Sequence, residues 1–261
     1  MRTRHLGLAA LAALLFVARL SAAQEIKIAA AADLQFAFQD VAARFEKDTG
    51  KHIKLIFGSS GNFFAQIQNG APFDAFFSAD IDYPKRLEAA GLAEPGTLYP
   101  YATGKIVLWV PNESNLDLSH GLQVLLDPGI HKIAIANPEH APYGRAAVSA
   151  LNHENLYDKV SSRFVLGENI SQTATFVVSG SADVGIIALS LALAPSMKER
   201  GRYVEIPTDK YPAILQGAVI LKSSQNKEVG RQFFAFLKTA ALQELLRGYG
   251  FSIPDAAAAG R

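Results

Sequence analysis

Two adjacent hydroxyls between two glycines, in Gly58-Ser59-Ser60-Gly61-Asn62, make up the stretch of this chain best suited to hold a compact anion. They follow the apolar run Lys54-Leu55-Ile56-Phe57 and precede Phe63, Phe64, Ile67 and Ala71 at helical spacing. A strand-to-helix corner of this kind presents hydroxyls and backbone N–H groups at the positive end of a helix dipole. Ser60 equally suits the role of a helix cap, where serine is favoured. A nucleophile elbow is a weaker reading, because the final glycine of G-x-S-x-G is missing and no acid and histidine follow in a pairing order.

The same plan occurs upstream. Glu25-Ile26-Lys27-Ile28 alternates as a strand, runs through Ala29-Ala30-Ala31-Ala32, and reaches Asp33 before Leu34, Phe38, Val41 and Phe45 recur at helical spacing. Asp33 sits where an N-cap would sit and can accept from first-turn amides. An ionised carboxylate facing a bound anion costs roughly 4 kcal/mol per unit charge at about 4 Å and an effective dielectric near 20.

Other chemistry-bearing residues have plainer readings. His52, His120, His131, His140 and His153 lie apart without metal-ligand spacing, so no free-cation site is expected. Asp74, Asp80 and Asp82 read as strand-end and cap residues. Phe63, Phe64, Phe233, Phe234 and Phe236 read as core, whereas Phe36 and Tyr143 stand close to proposed site loops.

The elements that must position these groups alternate along the chain. Phe73-Asp74-Ala75-Phe76-Phe77-Ser78 is a third strand and residues 83–90 a helix closed by Gly91. Tyr99-Pro100-Tyr101-Ala102-Thr103-Gly104 suits a crossing between lobes, and a strand follows over 105–110. The pattern then restarts with a strand at 133–136, a loop Asn137-Pro138-Glu139-His140-Ala141-Pro142-Tyr143-Gly144 and a helix over 145–151. Val165-Leu166-Gly167-Glu168-Asn169-Ile170 is another corner, 183–188 a buried strand, 210–221 the returning strand, and 231–237 with 242–246 closing helices. The implied architecture is α/β, with two lobes, each a doubly wound, mostly parallel sheet flanked by helices and a ligand cleft beyond the strands' carboxyl ends. Expected boundaries are 24–102 and 216–254 for the first lobe, 103–215 for the second, and a disordered tail at 255–261.

Arg2 and Arg4, an apolar run over 6–18 and Ser21-Ala22-Ala23 form a signal-peptide pattern, with cleavage expected near Ala23 and export to the periplasm. Without Arg2, Arg4 and Arg19, the 25 basic residues fall to 22 against 24 acidic ones, so the exported chain carries about −2 and no nucleic-acid-binding surface is indicated. With no cysteine, stability rests on core burial.

Ala29-Ala30-Ala31-Ala32-Asp33-Leu34, Phe57-Gly58-Ser59-Ser60-Gly61, the stretch from Gly70 to Asp80, Pro138-Glu139-His140-Ala141-Pro142-Tyr143-Gly144 and Gly248-Tyr249-Gly250-Phe251-Ser252-Ile253 resemble, in order, the periplasmic molybdate-binding proteins of ABC importers. The resemblance implies a type II periplasmic binding protein, not an enzyme. It would act as a monomer without a cofactor, hold molybdate or tungstate in the interlobe cleft and deliver it to a membrane permease. Motif by motif, the ligand positions fall on Asp33, Ser60, Tyr143, Ile170 and Ala188, with Ser59, Arg145, Glu168 and Asn169 nearby. Asp33 and Ala188 replace hydroxyl donors of the family. Four roles are open to Asp33. It caps its own helix, pairs with Arg145 across the cleft, accepts from a ligand that carries a proton, or joins Glu168 and Tyr143 around a hard cation. With the third or fourth role the ligand changes to a protonated oxyanion, an organic acid or a metal ion, selected by Asp33.

Overall fold

Alternating strands and helices build two five-stranded sheets, one in each lobe of a computed structural model that describes residues 25–254. The leader with its cleavage near Ala23, and the tail at 255–261, lie outside the described residues. The strands are β1 (Glu25–Ala31), β2 (His52–Gly58), β3 (Ala75–Ser78), β4 (Tyr99–Gly104), β5 (Ile106–Pro111), β6 (Ile133–Ala136), β7 (Phe164–Gly167), β8 (Val184–Ala188), β9 (Gly201–Glu205) and β10 (Ile214–Ile220). The helices are α1 (Gln35–Thr49), α2 (Ser60–Gln68), α3 (Asp82–Ala89), α4 (Pro142–His153), α5 (Tyr157–Val160), α6 (Ile170–Val178), α7 (Leu189–Ala192), α8 (Pro195–Lys198), α9 (Lys227–Leu237) and α10 (Ala240–Gly248).

The first sheet has the order β2-β1-β3-β10-β4 and the second β7-β6-β8-β5-β9. In each, three parallel strands stand beside an antiparallel fourth: β10 runs against β3 and β4, and β5 against β8 and β9. The chain passes from the first sheet to the second between Gly104 and Ile106, and it returns between Glu205 and Ile214.

Amphipathic spacing explains how the helices seat. Leu34, Phe38, Val41 and Phe45 are all buried, and the ring of Phe38 packs edge-on against Phe77 at 5.0 Å and Phe233 at 6.1 Å. Each such buried apolar side chain contributes about 1.5–3 kcal/mol. Gly50 ends α1 in the left-handed conformation that glycine adopts without a Cβ penalty, its N–H bonded to the Glu46 carbonyl at 2.8 Å. The strand and helix limits differ from the sequence expectation by a few residues at several ends, the helix expected over 231–237 starting at Lys227 and the strand expected from Phe73 at Ala75, and two of the differences have a plain physical reason. The fourth helix starts at Pro142, whose fixed φ suits a first helical position. The returning strand starts only at Ile214, because Pro212 cannot donate to a ladder and Thr208–Lys210 form a 3-10 turn.

The cores of the two lobes approach each other through small side chains. Ala31, Ala32 and Ala79, at the ends of first-lobe strands, are packed into the same apolar cluster as Ala141 and Tyr143 of the second lobe. Small residues there let the backbones of the two lobes come close. Asp74 acts as a strand-end residue, accepting from the Lys27 amide at 2.8 Å and the Ser224 hydroxyl at 2.6 Å.

Candidate functional site

Parallel strands aim their carboxyl ends the same way, and here those of both lobes meet. β1, β2 and β3 lead into Ala32-Asp33, Ser59-Ser60 and Ala79, while the loops after β6 and β7 bring Ala141-Pro142-Tyr143 and Asn169-Ile170. Together these residues line a small cavity with free space of about 10 Å³, close to what one water molecule needs. An oxyanion of five heavy atoms therefore enters only if the lobes part and then close on it.

The donors available to an occupant follow from local geometry. Ser60 is the first residue of α2, and its Oγ accepts from the Ala79 amide at 2.9 Å, which leaves its O–H free to donate into the cavity. Tyr143 and Ile170 stand in the first turns of α4 and α6, where backbone N–H groups have no intrahelical partner. Asn169 caps α6, its Oδ1 accepting from the amides of Ser171 and Gln172 at 3.0 Å each, so the Ile170 amide is the first-turn donor nearest the cavity that the cap does not use. Asn169→Ala should lower the stability of the protein by about 1 kcal/mol. Urea denaturation measures this, and an unchanged midpoint would remove the cap from the account.

Asp33 is buried in the same cavity with no cationic side chain bonded to it. Its Oδ2 accepts from the Tyr143 hydroxyl at 2.9 Å and from Gln216 Nε2 at 2.7 Å, while Oδ1 is buried without a partner. Tyr101 donates to Gln216 Oε1 at 2.7 Å, which turns the amide's N–H side toward Asp33 and toward the Tyr143 oxygen, 3.0 Å away. Ser190 donates to the Asp33 carbonyl at 2.8 Å. Burial raises the Asp33 carboxyl from 3.8 to about 6, against the lowering effect of the bonds from Gln216 and Tyr143. Burial, and next the nearby Asp33 charge, push both Tyr143 and Tyr101 well above the usual phenol value, so both stay protonated donors. Gly104 makes room for this network, since a Cβ there would lie 2.1 Å from the Tyr143 hydroxyl and 2.8 Å from Gln216 Nε2.

Around the cavity the lobes are clasped. The Ser59 hydroxyl donates to the His140 carbonyl at 2.5 Å, and the Gly61 amide reaches the same oxygen at 2.9 Å. Asn62 donates to Glu168 at 2.5 Å, with His140 Nε2 3.7 Å from the same carboxylate. Ser171 donates to Gln35, and Arg145 pairs with Asp80 at 2.6 Å. With 38% and 28% of these last two side chains exposed, that pair is worth about 1 kcal/mol or less. Wider grooves of about 330 and 380 Å³ lie to either side, but the free donors converge on the small cavity and not on them.

The structure thus gathers Asp33, Ser59, Ser60, Tyr143, Asn169 and Ile170 around one cavity and leaves others out. Ala188 is fully buried at the end of β8, paired with Ile106, and its methyl group does not line the cavity; Ser190 contacts Asp33 instead. Asp33 does not cap its helix: it lies in a 3-10 turn, Ala32–Leu34, and its carboxyl is taken by Tyr143 and Gln216. Arg145 does not reach Asp33, because Asp80 and Tyr83 hold its guanidinium. The cation grouping does not form either, since Glu168 stands at the cavity mouth with Asn62 and His140. Ser60 is not the cap of α2; Ser59 holds that position and spends its hydroxyl on His140. Phe36 lines the wider groove beside Ser171 rather than the cavity. Sequence reading missed Gln216, Tyr101, His140 and Asn62. Only Gln216 carried a signal, as the lone polar side chain in the otherwise apolar strand β10.

Residues 26–252 match the family model described as bacterial extracellular solute-binding protein. A molybdate-binding protein of Rhodobacter capsulatus is 36% identical over 96% of this chain and 97% of its own length. One from Azotobacter vinelandii is 37% identical over 88% of this chain and 91% of its own length. A solved periplasmic molybdate-binding protein of Azotobacter vinelandii superposes with a TM-score of 0.83 at 35% identity, covering 88% of this chain and all of the other.

Proposed function

This chain belongs to the periplasmic molybdate-binding proteins, within the bacterial extracellular solute-binding family, and from that premise we propose that it captures molybdate in the cavity between its lobes. It is the periplasmic substrate-binding component of an ABC importer and carries out no chemical conversion. The observation that carries the ligand reading is the convergence of the Ser60 hydroxyl with the first-turn amides at Tyr143 and Ile170 on one cavity. Uncharged donors around a tetrahedral dianion neutralise its oxygens by hydrogen bonding, each bond to a charged group being worth about 1.5–3 kcal/mol. Tungstate has the same shape and charge and fits the same donors. Closing the lobes removes the anion from water and produces the surface that a permease distinguishes from that of the open protein.

A thermal-shift and calorimetric titration with molybdate, tungstate, sulfate and phosphate tests this reading. Molybdate and tungstate should raise the melting temperature, since they bind only the folded state, and sulfate and phosphate at equal concentration should not. Absence of a shift with molybdate at every pH tried would overturn it. Ser60→Ala should weaken molybdate binding roughly tenfold or more, by loss of one bond to a charged ligand. An unchanged affinity would place Ser60 outside the ligand contacts.

A further inference from the structure

We propose that the cavity takes up its dianion together with one proton, carried on Oδ1 of Asp33, so that the acid form of this side chain donates to a bound oxygen and the ionised form excludes the anion. This deepens the oxyanion reading above and rests on it.

The polarity of the surrounding bonds locates the proton. Tyr101 donates to Gln216 Oε1 at 2.7 Å, a shorter bond than its 3.3 Å alternative to the Ser78 carbonyl, so Gln216 presents N–H to Asp33. The Tyr143 oxygen accepts from Gln216 Nε2, so its own proton goes to Asp33 Oδ2. Oδ2 thereby has two donors, and a proton on the carboxyl belongs on Oδ1, the buried oxygen without a partner. As an acid, Asp33 adds a fourth donor to the Ser60 hydroxyl and the amides of Tyr143 and Ile170; as a carboxylate, it sets a like charge against the ligand with no cation bonded to it to offset it. Burial, which holds this carboxyl near 6, keeps the proton within easy reach at neutral pH. The balance is simple. Protein carboxylate, dianion and one solvent proton give a carboxylic acid hydrogen-bonded to the dianion, and no bond of the ligand is broken.

The groups that face Asp33 leave it as the group to titrate. From β4 and α4 come Tyr101 and Tyr143, both held protonated. From β10 and α7 come Gln216 and Ser190, neither titratable. α6 carries no charged residue, and α1 has Asp40 bound to the Tyr249 hydroxyl. β2 has Lys54 and, at its far end, His52 beside Glu25 and Glu46. Arg145 is paired with Asp80, and at the mouth His140 faces Glu168. His140, whose ring lies against Ser59 beside the cavity, needs its own control.

Calorimetry of molybdate binding to the full exported chain, in two buffers of different ionisation enthalpy near pH 7.5, counts the protons. About one proton should be taken up per anion, and Kd should weaken nearly tenfold per pH unit between about pH 6.5 and about pH 8.5. Asp33→Asn, which puts a permanent N–H at the Oδ1 position, should bind molybdate with no proton uptake and a flat pH profile, whereas His140→Gln should keep the uptake. Molybdate binding to the native protein without proton uptake overturns this proposal alone, as does uptake that survives in Asp33→Asn or vanishes only in His140→Gln. Binding of hydrogen phosphate but not molybdate also overturns it, because that ligand brings its own proton to an ionised Asp33. No molybdate binding at about pH 6 by folded protein overturns the oxyanion reading and this inference together.

Discussion

Gly61→Ala should weaken molybdate binding on the order of a hundredfold while leaving the ligand-free protein about as stable as before. A Cβ at Gly61 would lie 2.6 Å from the His140 carbonyl oxygen and 2.9 Å from its Cα, and both are backbone atoms of the other lobe that cannot swing aside. Forcing such an overlap costs about 3 kcal/mol, which the protein escapes by keeping its lobes apart. The cost therefore falls on the closed state alone and appears in Kd, a factor of ten for each 1.4 kcal/mol. Folding of the first lobe is not penalised, because Gly61 lies in the first turn of α2, and alanine is the better helix former by up to about 1 kcal/mol. Calorimetry of the variant with molybdate, alongside thermal melts without ligand, separates the two effects. Native affinity would show that the contact between Gly61 and His140 is not part of the bound state. A large loss of melting temperature without ligand would show that the clash acts on folding.

The second large effect concerns pH and the stability of the ligand-free protein with its lobes closed as here, the arrangement in which Tyr143 of the second lobe completes the burial of Asp33. Folding raises the Asp33 carboxyl from 3.8 to about 6, and the difference corresponds to about 3 kcal/mol in favour of the acid form. The sign follows from proton counts. Below about pH 4 both states hold the proton, and this group sets no pH dependence. Between about pH 4 and about pH 6 the folded state holds a proton that the unfolded chain has released, so stability falls as pH rises, and above about pH 6 the loss is complete. Asp33→Asn should abolish this component. In urea denaturation, its advantage over the native protein should grow by about 3 kcal/mol from about pH 4 to about pH 7.5. The absolute gain is smaller, because the new Nδ2 is itself a buried donor costing about 1–3 kcal/mol while the cavity is empty. Parallel pH profiles for the two proteins would show that Asp33 has a cation or water partner that keeps its ionised form stable.

Much of the fold is written in local pattern. Alternation in Glu25–Ala31 and helical spacing of Phe38, Val41 and Phe45 predict β1 and α1, because burying one face of an element requires that periodicity whatever the element packs against. The same reasoning places the functional groups at strand-to-helix corners, and Ser60, Tyr143 and Ile170 do line the cavity there. Ends of elements were less legible, as at Ile214, where the crossing back to the first sheet absorbs four residues beyond the expected start of the strand. Contacts across the cleft carried no local signal. Ser59 finds His140, Asn62 finds Glu168 and Arg145 finds Asp80 across 65 to 106 residues of chain.

By itself, the amino-acid sequence determined the class of this protein: an exported α/β chain in two lobes, with small residues and hydroxyls at the corners that make an anion site, in the order of one family. The tertiary structure alone decided what Asp33 is. Its type permits a cap, an ion pair or a cation ligand, but the partners it receives, Tyr143 and Gln216, lie 110 and 183 residues away. Its high proton affinity comes from the burial those partners complete. Periodicity is a property of neighbours along the chain, whereas the solvation of a carboxyl belongs to whatever the fold brings around it.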